Sequence, residues 1–133
     1  MLDPVEDEDQ LDAMSNSKYS KRWMAPELLV GDIALGTMKC DVWSMAMTML
    51  EVFIGERPLT HHRREVQVQN AVYAEDERPA KPRRCVWLSD SLWEHMQKCW
   101  QKMPEDRPDM AEVHQKLREA DQAFEASRRE SGI

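Results

Sequence analysis

From Val42 to Ile54 the chain is apolar except at Ser44, Thr48 and Glu51, and with Asp41 these polar residues stand 3, 4 and 3 apart. On a helix that spacing makes one narrow stripe, and Val42, Trp43, Met45, Ala46, Met47, Met49, Leu50, Val52 and Phe53 cover the rest of the circumference. A helix apolar on most sides is buried, so the pattern predicts a central helix over 41–54 with other elements wrapped around it. Asp41 suits its N-cap and Gly55 its C-terminal stop.

The remaining elements are shorter or more one-sided. Leu28-Leu29-Val30, following Pro26 and ending at Gly31, reads as one helical turn, and 31–37 as a loop. Residues 58–64 form a polar, basic loop and 65–73 a short helix. Pro79 and Pro82 block regular structure across 78–84, whose basic residues Arg78, Lys81, Arg83 and Arg84 read as a solvated loop. Ser91 and Glu94 have capping-box spacing, and Leu92, Trp93, Met96, Cys99 and Trp100 define an amphipathic helix to about residue 101. Pro104 and Pro108 bracket a tight loop. Asp109 and Glu112 repeat the capping pattern, and Met110, Val113, Leu117, Ala120 and Phe124 mark a last amphipathic helix over 110–124. No segment alternates convincingly as a strand and no repeat is visible. The expected fold is all-α, helices around one buried helix.

Charge and composition narrow the possibilities. The net charge is −7, and Asp3, Glu6, Asp7, Glu8, Asp9 and Asp12, with no base among the first twelve residues, carry −6 of it. The other 121 residues are close to neutral, which excludes a nucleic-acid binder driven by overall charge. The acidic stretch 1–17 reads as a solvated, disordered arm. Cys40, Cys85 and Cys99 form no pairing pattern, and the acidic start is unlike a secretory leader, so a reduced, cytoplasmic setting is expected. The longest apolar run is 13 residues, short of the roughly 20 that span a bilayer. His61-His62 and the His95/Cys99 pair are the conceivable metal ligands, but zinc needs three or four at fixed spacing. Surface histidines are the expectation there, with no metal. Cys99 sits on an apolar helix face, a poor setting for a nucleophile.

Three separated motifs carry a more specific signal. Arg22-Trp23-Met24-Ala25-Pro26-Glu27 is followed by Asp41-Val42-Trp43-Ser44, and then by Cys99-Trp100 with Pro104-Glu105-Asp106-Arg107-Pro108. In this order and spacing they resemble the C-terminal lobe of a eukaryotic protein kinase, whose activation segment closes on Ala-Pro-Glu. The resemblance covers about residues 18–126, leaving 127–133 as a frayed tail. It implies that Glu27 forms a buried ion pair with Arg107, tying the activation segment to the last helices. It implies that Asp41 accepts backbone N–H bonds from the catalytic loop, and that Ala25 and Trp43 are structural. Ser20, Arg22, Trp23 and Pro26 would shape the loop that docks the substrate. Ser20 stands where serine/threonine kinases of the tyrosine-kinase-like group carry Thr, which favours hydroxyl acceptors of Ser/Thr type over Tyr. Tyr19 departs from the Gly usual before it. Ser15, Ser17, Tyr19 and Ser20, beside Lys18, Lys21 and Arg22, are possible phosphosites whose phosphates nearby bases would pair.

What is missing matters as much. Only Gly31, Gly36, Gly55 and Gly132 are glycines, so no Gly-rich phosphate loop can be built. There is no Val-Ala-x-Lys strand, His62 is followed by Arg63-Arg64 where Arg-Asp would be needed, and neither Phe53 nor Phe124 has an Asp-Phe-Gly setting. Phosphoryl transfer rests on positioning and metal-assisted charge stabilisation, and those parts are not in this sequence. ATP and magnesium are therefore implied for a complete family member and not for these residues. Three readings stand: a partial kinase domain inactive by itself, a non-catalytic helical interaction module retaining the docking half, and an unrelated helical adaptor. Each would take a protein substrate or partner; uncovered apolar surface would favour self-association.

Overall fold

The computed structural model describes residues 21–29 and 38–130 of the 133. The acidic arm, Ser15, Ser17, Tyr19, Ser20 and the loop 31–37 lie outside the described residues. A 3-10 turn at Lys21–Trp23 leads into α1 (Pro26–Leu29), then α2 (Met38–Ile54), α3 (Glu65–Tyr73) and α4 (Asp90–Cys99). A second 3-10 turn, Pro104–Asp106, precedes α5 (Met110–Glu130). Among the described residues there is no strand.

Helix α2 is the centre. Cys40, Val42, Trp43, Ala46, Met47, Met49 and Leu50 are buried along it, and it touches α4, α5 and both 3-10 turns. Leu92, Met96, Trp100 and Val113 close the core from one side, Leu29, Val68 and Val72 from the other. Gly55 ends the helix as expected: φ is +72°, and its N–H donates to Glu51 O at 2.8 Å.

Two details of α2 differ from the pattern reading. The helix starts three residues early, so Asp41 lies in its first turn, exposed, and does not cap it. Lys39 fixes that earlier start, because Arg107 Nη1 donates to its carbonyl at 3.0 Å while Lys39 Nζ donates to the carbonyl of Arg107. The exposed stripe is also rotated. It comprises Met38, Asp41, Met45, Thr48 and Val52, whereas Ser44 and Glu51 turn toward Trp23. Ser44 Oγ donates to the Trp23 carbonyl at 2.7 Å and Trp23 Nε1 donates to Glu51 Oε1 at 3.2 Å. A polar side chain with a partner tolerates partial burial, which periodicity alone does not register.

The other boundaries shift for local reasons. Ser89, not Ser91, caps α4: its backbone is extended and its Oγ accepts from the Leu92 N–H at 3.1 Å. Asp109 Oδ1 accepts from the Glu112 N–H at 2.8 Å at the start of α5, as the pattern predicts. That helix runs on past 124 to Glu130, into the stretch read as a frayed tail. Its last turns hold good helix formers and an Arg128–Glu125 ion pair at 3.2 Å, and their one aromatic anchor is Phe124 against Trp87, 4.5 Å between centroids. Finally, Arg78 does not belong to the solvated loop that holds Arg83 and Arg84. It is half-buried, its Nε donates to Trp100 O at 2.7 Å, and its guanidinium lies 4.7 Å from the Trp43 ring centroid.

Candidate functional site

Two buried arginines organise the site. Arg107, fully buried, is presented by the extended residue that follows the second 3-10 turn. One terminal nitrogen bridges both oxygens of Glu27, at 2.7 and 3.0 Å, across 80 residues of sequence. The same guanidinium donates to the carbonyls of Gln101, Lys39 and Lys102 at 2.8, 3.0 and 3.1 Å. It also lies 5.1 Å from the centroid of the Trp43 ring, within cation–π range. Glu27 is thus tied through Arg107 to Lys39 in the first turn of α2, with Ala25 and Pro26 buried beside it. The ion pair expected of the resemblance is present.

Arg22 is the second anchor. The resemblance puts it in the substrate-docking loop; in the structure it is 1% exposed and its guanidinium is taken up by contacts within the fold. Its Nε donates to Glu65 Oε1 at 2.8 Å, and its terminal nitrogens donate to the carbonyls of Pro58, Leu59 and His62 at 3.3, 2.8 and 2.5 Å. A planar fork of donors suits such a set of carbonyls and a carboxylate better than an ammonium would. Arg22 therefore fastens the Ala-Pro-Glu segment to the loop before α3, as Arg107 fastens it to the turn before α5. A basic residue directly before a Trp in an apolar setting, with an acid opening a later helix, was the available clue.

The remaining candidates fall into place around these anchors. Trp23 is half-buried and linked to α2 through Ser44 and Glu51, and Trp43 is wholly buried. Asp41 makes no side-chain ion pair or hydrogen bond with the described residues, and points its charge to solvent. Burial pushes the Cys99 thiol up to about 12, so it is no thiolate nucleophile near neutral pH. His61 and His62, however, meet a third ligand-type group, Glu77, that linear spacing does not signal.

A buried helix whose start is locked to a Glu–Arg pair closing an Ala-Pro-Glu segment is the framework of a protein-kinase C-terminal lobe. The comparison with known proteins agrees: the profile of the protein tyrosine and serine/threonine kinase family matches residues 1–117. The dual specificity protein kinase shkC of Dictyostelium discoideum is 32% identical over 99 residues, 74% of this chain and 19% of that protein. Mitogen-activated protein kinase kinase kinase 7 of Drosophila melanogaster is 34% identical over 102 residues, 77% of this chain and 14% of that protein. The proto-oncogene tyrosine-protein kinase ROS of Mus musculus is 36% identical over 97 residues, 72% of this chain and 4% of that protein. The chain belongs to the protein tyrosine and serine/threonine kinase family, and is an all-α C-lobe portion of that domain. It spans less than a fifth of the length of these relatives. Among the described residues no helix is long and apolar enough to cross a membrane.

Proposed function

We propose that these residues are the substrate-docking half of a protein kinase domain, which by itself transfers no phosphate. The observation that carries the reading is the doubly anchored segment: Arg22 and Arg107 hold Trp23–Glu27 against α2 with no nucleotide-binding motif anywhere in the sequence. In the complete protein, ATP with magnesium would be held by other segments, and the γ-phosphate would pass to a protein hydroxyl, with Ser20 favouring Ser/Thr over Tyr. Trp23 and Pro26 would line the docking loop, Ser15, Ser17, Tyr19 and Ser20 would take regulatory phosphate beside Lys18 and Lys21, and the protein would work in the cytoplasm. The domain would run over 18–126 behind an acidic arm at 1–17.

A second reading, a non-catalytic protein-interaction module, is supported by the outer stripe of α2. Met38, Met45 and Val52 are 69%, 36% and 76% exposed on an otherwise buried helix. Apolar residues in that position favour association with a protein partner or a second copy, and methionine suits adaptable contacts. The 133-residue chain, incubated with labelled ATP, magnesium and a mixed protein substrate, tests the first reading. No transfer and no Mg-ATP-dependent rise in melting temperature are expected; transfer by the purified chain overturns it. Light scattering addresses the second reading, for which association lost on Val52→Lys is the expected result and a monomer at all concentrations is the contrary one.

A further inference from the structure

We propose that His61, His62 and Glu77 form a binding site for one divalent transition-metal ion of the zinc class, with a fourth position open to water or an incoming ligand. His61 Nε2 and His62 Nε2 lie 3.0 and 2.8 Å from the same oxygen, Glu77 Oε2, and the three ligand atoms all fall within 4.8 Å of one another. A tetrahedral ion with bonds of about 2.0–2.1 Å spaces its ligand atoms about 3.3 Å apart. The two histidine–Glu77 distances fall short of that spacing by about 0.3 and 0.5 Å and the widest separation in the set stays within 4.8 Å, so rotation of the exposed His61 ring and the Glu77 carboxylate brings the three atoms to it. Two imidazoles and one carboxylate with an open position is a donor set that borderline divalent ions favour.

The arrangement is built, not merely crowded. Consecutive histidines tend to diverge, yet these rings sit 4.1 Å apart, centroid to centroid, and converge on one oxygen. Arg22 grips the loop from beneath through the carbonyls of Leu59 and His62, and Leu59, buried, holds the left-handed conformation at φ 57°. A bulky residue persists there only where surrounding contacts enforce it. On the opposite side Asp76 turns the chain at φ 53°, and Glu77 is pinned by its N–H to Ala71 O at 2.9 Å and by Arg78 Nη1 to its carbonyl at 3.0 Å. Both ligand-bearing segments are therefore held before any ion arrives, which lowers the ordering cost of binding. His62 and Glu77 have side chains 23% and 30% exposed and His61 62%, so the site is partly desolvated yet reachable. His61 also borders a cleft of about 600 Å³ between the C-terminal end of α2 and the 79–87 loop, which gives an entry path.

Titration of the full chain with Zn²⁺ after chelator dialysis, followed by calorimetry, and with Co²⁺, followed by its visible absorption, tests the site. One ion per chain is expected, with a tetrahedral cobalt spectrum. Outer-shell substitutions weaken metal sites by about 10–100-fold, so losing a ligand in His61→Ala or Glu77→Gln should cost at least that. His114→Ala, exposed on α5, should leave the affinity unchanged. His61 is exposed, so its variant keeps the fold, checked by circular dichroism. Equal affinity in His61→Ala, Glu77→Gln and the parent chain overturns the assignment, as does a parent chain that binds no Zn²⁺.

Discussion

Arg107→Ala removes the residue on which the anchored segment depends most, and its cost can be worked from the contacts. The Arg107 side chain is 0% exposed and the Glu27 side chain 11%, so the pair is nearly dry. Breaking such a pair from one side typically costs about 3–5 kcal/mol, because the partner charge stays behind without compensation. Slight access of water to Glu27 places this pair near the lower figure. The carbonyls of Lys39, Gln101 and Lys102 lose a charged donor as well, each bond worth up to about 1.5–3 kcal/mol when it has no substitute. These terms share one side chain and do not add, so about 4 kcal/mol is the expected loss, out of the roughly 5–15 that a domain possesses. With a urea slope near 2 kcal/mol per molar, the midpoint should fall by about 2 M. Circular dichroism at 222 nm follows it, with Arg83→Ala, an exposed arginine in the 78–84 loop, expected to change stability by less than about 0.5 kcal/mol. Coincident midpoints for the two variants would refute the reasoning.

Other perturbations probe neighbouring links. Arg22→Lys keeps the charge but cannot reach Glu65 and three carbonyls at once, so urea denaturation should show a loss of at least about 2 kcal/mol; a neutral result would contradict the clamp. Gly55→Ala meets no atom within 4 Å, so its expected cost of about 1 kcal/mol in thermal melts comes from φ +72° alone, and an unchanged or higher melting temperature would contradict the cap. His95 has its pKa lowered, first by burial and then by Lys116 and Lys98, with Glu112 and Glu119 opposing. The unfolded chain therefore takes up that proton first: the stability is whole above about pH 6.5 and falls as acid approaches the lowered folded value. His95→Gln should flatten the decline in denaturant midpoint between about pH 7 and 5, and an unchanged slope would count against it.

The helices were readable wherever a pattern spoke for itself. Glu65–Tyr73 and the Gly55 stop came out at the predicted residues, and burial of most of α2 followed from its apolar circumference. Errors cluster where a distant partner decides. Asp41 looked like a cap because nothing local shows that Lys39, two residues upstream, is tied to Arg107, 68 residues away. Ser44 and Glu51 fell in one polar stripe with Asp41 and Thr48, and nothing local separates them because their partner, Trp23, lies on another segment. Among site residues, Glu27 and Arg107 were legible through motifs. The clamp made by Arg22 was not legible because a buried cation has no periodic signature, and Glu77 went unnoticed because its histidine partners are 15 and 16 residues away and reach it only through the turn at Leu59.

Hydrogen exchange tests the central claim, that the Ala-Pro-Glu segment folds as one unit with the buried helix. The amides of Met24, Leu28 and Leu29 bond only to carbonyls three or four residues back, so a loose segment would exchange within seconds. If Arg22 and Arg107 hold it as described, these amides and those of Ala46–Leu50 exchange together at the global unfolding free energy, far behind the exposed last turn of α5. The account is contradicted if residues 24–29 exchange as fast as 126–130 while α2 stays protected.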